Sequence, residues 1–260
     1  MVLKRLLAGI GFGGASVETH LDSASTRPGG TVRGTVLVEG GNVEQEVEEL
    51  TVGLQAAVES EIGDSEVTSH MEFHRVRLGG RTGLVPGQRF EVPFELPVPW
   101  EAPVTSLGGQ RLYGMNLGVN TRLAVAGAVD PGDLDPVAIE PLPAQQAVLL
   151  ALDSLGFRFK KADLERGRIA RTRQRLPFYQ EIEYYAPSRY RGLNQLELSF
   201  VADEHGMDVV LELDKKPGLF TEGRDTFKSF NVTHEQAAAM DWSRELDRWI
   251  DALAGRRDLF

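Results

Sequence analysis

The stretch RFKKADLERGRIARTRQR, residues 158–175, carries eight basic side chains against Asp163 and Glu165, a net +6 inside a chain of net −10. Like charges gathered this closely repel one another and favour an acidic partner. Arg166, Arg168, Arg171, Arg173 and Arg175 are therefore candidate partner-binding residues. An acidic peptide, an anionic lipid surface or the acidic N-terminal half of the chain itself would match them. The competing reading is a solvated hairpin loop. No aromatic residue is interleaved through the arginine run, which disfavours base stacking on single strands. An acidic chain is also a poor general binder of phosphate backbones, so no nucleic acid is expected as a partner.

Other constellations carry less. Trp242 and Trp249 recur at helical spacing and form a second candidate docking stripe, with packing on their own domain as the alternative. His70 and His74 have the i, i+4 spacing that chelates metal on a helix, but their surroundings alternate like a strand, where four residues span ~13 Å. Glu44, Glu46, Glu48 and Glu49, and again Glu59, Glu61, Asp64 and Glu66, are acidic clusters. They read first as solvated strand faces, with divalent-cation contact or partner docking as alternatives. Paired carboxylates could serve glycoside hydrolysis, but spacing alone shows no such pair. No G-x-S-x-G elbow is present, and Gly9, Gly11, Gly13 and Gly14 do not follow a strand of a βαβ unit. No catalytic, cofactor-binding or metal-ligating residue is assigned.

Alternation with period two dominates the elements that would hold these residues. Phe90, Val92, Phe94 and Leu96 share one face of an edge strand whose outward Pro93 cannot donate to a ladder. Val32, Val36 and Val38 share another face, as do Val52, Leu54, Ala56 and Val58. Leu196, Leu198 and Phe200, then Val209, Leu211 and Leu213, predict a hairpin over 194–214 in which Gly206 is free to take positive φ. AQQAVLLALDSL, 144–155, is a helix that Gly156 would end. Thr233 to Gln236 matches a capping box, and Trp242, Leu246, Trp249, Ile250 and Leu253 follow on one helical face.

There is no cysteine, which excludes disulfides, thiolate metal sites and a cysteine nucleophile. No run approaches the ~18 apolar residues of a membrane span. Lys4 and Arg5 ahead of a short apolar stretch imitate a signal peptide, but the segment runs straight into strand-like sequence near Val17. Leu3, Leu6, Leu7, Ile10 and Phe12 cover the first domain or touch a membrane surface.

The block GIGFGGASVETHLDSASTRPGGTVRGTVLVEGGNVEQEVEEL, 9–50, resembles the bacterial sporulation-control protein M (SpoOM) family. DPVAIEPLPAQQAVLLALDSLGF (135–157), ADLERG (162–167), PFYQEIEYY (177–185) and LELSFVADEHGMDVVLELD (196–214) agree in order. The resemblance implies an arrestin-like fold of two β-sandwiches with a C-terminal helical segment, and a cytoplasmic regulatory or scaffolding role. The family pattern contains no catalytic residues to carry over.

The fold expected is mainly β: two tandem antiparallel sandwiches over 1–136 and 137–232, a connecting helix at 144–155, and a helical segment over 233–260. The function expected is that of a non-enzymatic, cofactor-free adaptor that binds protein partners. A peripheral protein of anionic membranes is the alternative, and a hydrolase on a sandwich scaffold a more distant one.

Overall fold

The computed structural model describes residues 13–63, 65–215 and 227–254. The apolar N-terminal residues weighed above for membrane contact lie outside them. In chain order the strands are β1 (Ser16–Leu21), β2 (Ser25–Thr26), β3 (Thr31–Glu39), β4 (Gln45–Ile62), β5 (Ser65–Gly79), β6 (Thr82–Leu84), β7 (Arg89–Pro97), β8 (Ser106–Leu107), β9 (Gln110–Arg111), β10 (Leu117–Val125), β11 (Gly132–Pro136) and β12 (Ala138–Ile139). Helix α1 (Pro143–Ser154) follows, then β13 (Arg158–Arg166), β14 (Phe178–Tyr185), β15 (Leu193–Ala202), β16 (Gly206–Lys215) and β17 (Phe227–Thr233). Helices α2 (His234–Ala239) and α3 (Trp242–Ala254) close the order. The mainly β class expected from alternation holds.

Two compact units form. The first comprises the chain up to Ala57, His70–Pro99 and Asn116–Ile139. Its antiparallel sheet β1-β3-β7 has β7 at an edge, with Pro93 exposed and Phe94 and Leu96 buried. Its second sheet runs β11-β10-β4, and β5 and β6 also pair with β4. Val36 and Val38 from one sheet and Val52, Leu54 and Val119 from the other are wholly buried, each worth about 1.5–3 kcal/mol. The buried hydroxyls of Thr19 and Thr121 meet at 2.6 Å between the sheets.

The second unit comprises Val58–Ser69, Trp100–Met115 and the chain from Glu140. Strands β13 to β17 form one antiparallel sheet in sequence order. The register aligns Ala162 with Ile182, Ile182 with Leu198, and Leu198 with Leu211, so the buried side chains fall on one face. Among the described residues α1 packs on α2 and α3, and α2 on β16 and β17. The C-terminal helices, read from sequence as a separate segment, belong to this unit.

Helix α1 ends in a Schellman motif. Phe157 N–H donates to Leu152 O, Gly156 N–H donates to Asp153 O, and Gly156 takes φ +83°, a conformation that favours glycine. At the β15–β16 turn Gly206 serves a different purpose from the one expected. It does not enter the left-handed region; a Cβ there would lie 2.1 Å from Val232 O of the neighbouring strand. Thr233 caps α2 as read: its hydroxyl accepts from Gln236 N–H, and Gln236 accepts from Thr233 N–H.

Candidate functional site

The basic stretch divides between β13 and the loop that joins it to β14. Lys160 and Lys161 are spent on carboxylates of the sheet: Lys160 pairs with Glu183, and Lys161 Nζ lies 2.5 Å from Asp163 and 3.2 Å from Glu183. Arg166 ends β13, Arg168, Arg171, Arg173 and Arg175 sit on the turn, and all five are exposed.

That turn is held by a residue the sequence reading passed over. Gln174 is 8% exposed; its Nε2 donates to Gly167 O, Leu176 O and Phe178 O at 2.8–3.0 Å, and its Oε1 accepts from Ile169 N–H at 2.8 Å. Glu101 accepts from the backbone N–H groups of Arg175 and Leu176 at 2.8 Å. Arg173 bonds Asp203 at 2.6 Å and faces the buried Asp208 at 3.8 Å. Arg171 adopts φ 64°. The loop is thus fixed by buried polar bonds, while no guanidinium of Arg166, Arg171 or Arg175 has an ion pair among the described residues.

Trp242, the first residue of the second candidate stripe, is in the core of this unit. It is 2% exposed, its Nε1–H donates to Ala237 O at 2.9 Å, and Phe230 meets it edge-on at 5.7 Å. Trp249 is half-buried, and Leu246 and Ile250 are buried. The structure therefore does not bring the two tryptophans together with the arginines as one exposed surface.

The outward face of the same sheet holds a feature absent from the sequence reading. Period-two alternation puts Asp163, Glu165, Glu181, Glu183, Glu197 and Glu212 opposite the apolar side. The register sets Asp163 beside Glu181, Glu183 beside Glu197, and Glu197 beside Glu212. Like charges directly across strands are destabilising. A groove of about 180 Å³ opens there, lined by Tyr179, Glu181, Glu197, Ser199, Val210, Glu212 and Phe227, and by Ile169 and Ala170 of the arginine loop.

This crowding changes the carboxyl chemistry. Burial, then the charges of Glu197, Asp163, Glu165 and Glu212, push Glu181 up to about 8. Burial and Glu212 lift Glu197 to about 6. A hydrogen bond with Glu66, then burial and Asp163, raise Glu59 to about 7. Burial raises Asp163 against the pull of Lys161, and burial beside Glu181 lifts the Tyr179 phenol to about 12. The faint signal for this face was the repeated glutamate on the polar side of EIEYY, LEL and LELD, which reads in isolation as a wetted strand.

The family model for the SpoOM protein matches residues 3–217. The chain belongs to the SpoOM family. The sporulation-control protein spo0M of Bacillus subtilis (strain 168) is 33% identical over 215 residues, covering 82% of this chain and 80% of that protein. The crystal structure of Spo0M from Bacillus subtilis superposes with a TM-score of 0.79 at 27% identity, over 92% of this chain and 99% of that one. The SpoOM match takes in the arginine loop and the acidic face, whereas α2 and α3 follow it.

Proposed function

We propose that this chain is a non-catalytic regulator of the sporulation-control type, acting as an adaptor that docks an acidic segment of a protein partner on the arginine loop. The observation that supports this most is the loop itself. Gln174 and Glu101 hold its backbone in one shape, so exposed guanidinium groups are presented without the ordering cost of a free loop. Guanidinium forks match carboxylates bidentately, which gives an acidic partner both charge and geometry to read.

Family membership supports the regulatory reading, because the similar Bacillus protein is named for sporulation control. The groove carboxylates stand side by side on one sheet rather than facing one another across a cleft, so the arrangement favours binding over glycoside hydrolysis. Among the described residues no helix is long and apolar enough to cross a membrane. A cytoplasmic setting is part of the same reading, and a chain without cysteine fits a reducing compartment without requiring one.

The test is cross-linking and recovery of bound proteins from the native host, using the wild type and an R166E/R168E/R171E/R175E variant. Arg173 is kept because it pairs with Asp203. Loss of specific acidic proteins from the variant supports the adaptor. An unchanged set of partners removes the loop from the account. Cosedimentation with phosphatidylserine vesicles at low salt, lost in the variant, would favour the membrane-surface alternative.

A further inference from the structure

On the β13 side of the acidic face, Asp163, Glu165 and Glu181 bring one carboxylate oxygen each within 4.8 Å of one another. Glu59, Glu66 and Glu165 do the same, so Glu165 belongs to both groups. The second group arises because Glu59 of β4 lies opposite Glu165 of β13 in a parallel pairing. Sequence spacing had placed Glu59 and Glu66 in one acidic run; the sheet adds the β13 and β14 carboxylates to it.

A cluster of acids on a surface has no need of a ligand. Asp163 is the independent observation here. It is 5% exposed, and its Oδ1 is shut off from solvent with no hydrogen-bond partner among the described residues. Lys161 Nζ reaches 2.5 Å from Oδ2 but is shared with Glu183, and among the described residues no cation pairs with Oδ1. Glu59 Oε2 is a second buried oxygen without a partner. A buried carboxylate left in this condition costs free energy unless something positive meets it. Lys160 pairs with Glu183, and Lys161 is divided between Asp163 and Glu183.

We propose that Asp163, Glu165 and Glu181 bind a hard divalent cation of the Ca²⁺ or Mn²⁺ class, with Glu59 and Glu66 forming an adjoining position across Glu165. The donor set is oxygen only, which suits Ca²⁺, Mn²⁺ and Mg²⁺ and not the thiolate or imidazole metals. Three carboxylates supply up to six oxygens, enough for the first shell of Ca²⁺ or Mn²⁺. Mg²⁺ keeps several waters and binds through fewer carboxylates, so it ranks below them at a buried aspartate. The ion would do for Asp163 Oδ1 what Lys161 does not, and would also relieve the repulsion between Asp163 and Glu181 across β13 and β14. The proposal does not depend on the adaptor reading.

The experiment uses the full chain, stripped with EDTA and dialysed. Isothermal titration calorimetry with CaCl₂ and MnCl₂ at fixed ionic strength, with NaCl as control, measures affinity, and Mn²⁺ electron paramagnetic resonance counts bound ions. Saturable binding is expected, together with a rise in Tm that grows with the logarithm of metal concentration. D163N and E165Q should each weaken binding by at least about tenfold. E48Q, on the first unit, should leave it unchanged. Glu165 is only half-buried, so E165Q decides the matter if D163N does not fold. Absence of saturable binding of either ion, or equal binding by wild type, D163N and E165Q, would overturn the proposal.

Discussion

Glutamates on β4 and glutamates on β13 to β16 share a chemistry and differ in circumstance. On the first unit, Glu46 and Glu48 lie 3.2 and 3.8 Å from Arg81, and Glu49 lies 3.2 Å from Arg77, all on wetted side chains. On the second unit, Glu181, Glu197 and Glu212 line one groove, Glu197 and Glu212 side by side in the ladder, and Arg173 pairs with Asp203 instead. Glu46, Glu48 and Glu49 each lie beside an arginine and open water, so their charges cost the fold little. The acids of the second share few cations and are partly covered by the Ile169–Ala170 turn, so their ionisation opposes folding. Placement of the cations, not the number of acids, separates the two regions.

The largest expected effect comes from removing what keeps that cover in place. Gln174→Ala deletes four hydrogen bonds and leaves the part-buried carbonyls of Gly167 and Leu176 and the buried one of Phe178 without that donor. Urea unfolding should show a loss of about 2–4 kcal/mol. With the turn loosened, Glu181 should also titrate closer to the ordinary carboxylate range, as read by carboxyl-carbon NMR. If Glu181 stays raised in a folded Gln174→Ala protein, the turn is not what desolvates it, and the contrast between the regions rests on charge crowding alone.

The next effect is a pH dependence carried by the acidic face of the second unit, to which Asp135 of the first unit, raised to about 6 by burial, adds a fall of the same sign. Glu181 and Glu197 have folded-state pKa values raised to about 8 and about 6, above those of the unfolded chain. The unfolded state then binds fewer protons between those limits, and stability falls as pH rises. The contribution is fully present below about pH 4 and lost as pH passes 6 and then 8. In EDTA, thermal unfolding should show the chain less stable at pH 8.5 than at pH 5 by about 1–2 kcal/mol; solvent access to the face holds the loss below what the shifts alone would give. Glu181→Gln should remove most of that fall and raise Tm at pH 8.5. An equal fall in the variant would place the titration in another group.

Much of this was legible in the sequence, and the missing part has a physical cause. Alternation reports which residues share a face, so the buried valines of β3, the hairpin β15–β16 and the edge position of Pro93 followed directly. Gly156 and the Thr233 cap followed from local chemistry. Register is not local. Asp163 and Glu181 are 18 residues apart, and only the hairpin pairing puts them side by side. Glu59 joins them through a parallel contact between strands distant in sequence, which no spacing rule reaches. Gln174 was hidden because one glutamine among arginines looks like one more solvated side chain until the turn closes around it.

The smallest effect belongs to the first unit, where the comparison predicts near indifference. Arg81→Ala removes the ion pairs to Glu46 and Glu48, whose side chains are about half exposed. Exposed pairs of this kind contribute about 0–1 kcal/mol, because water solvates each ion almost as well as its partner does and two long side chains lose freedom in pairing. Urea unfolding should therefore move by no more than about 0.5 kcal/mol, with the same shift at pH 5 and pH 8.5. Raising the salt should shrink even that, since screening acts on wetted charges and hardly reaches covered ones. A loss above about 1.5 kcal/mol, or one that grows with pH, would mean that β4 depends on its arginine as the second unit depends on Lys161. The two acidic regions would then differ only in degree.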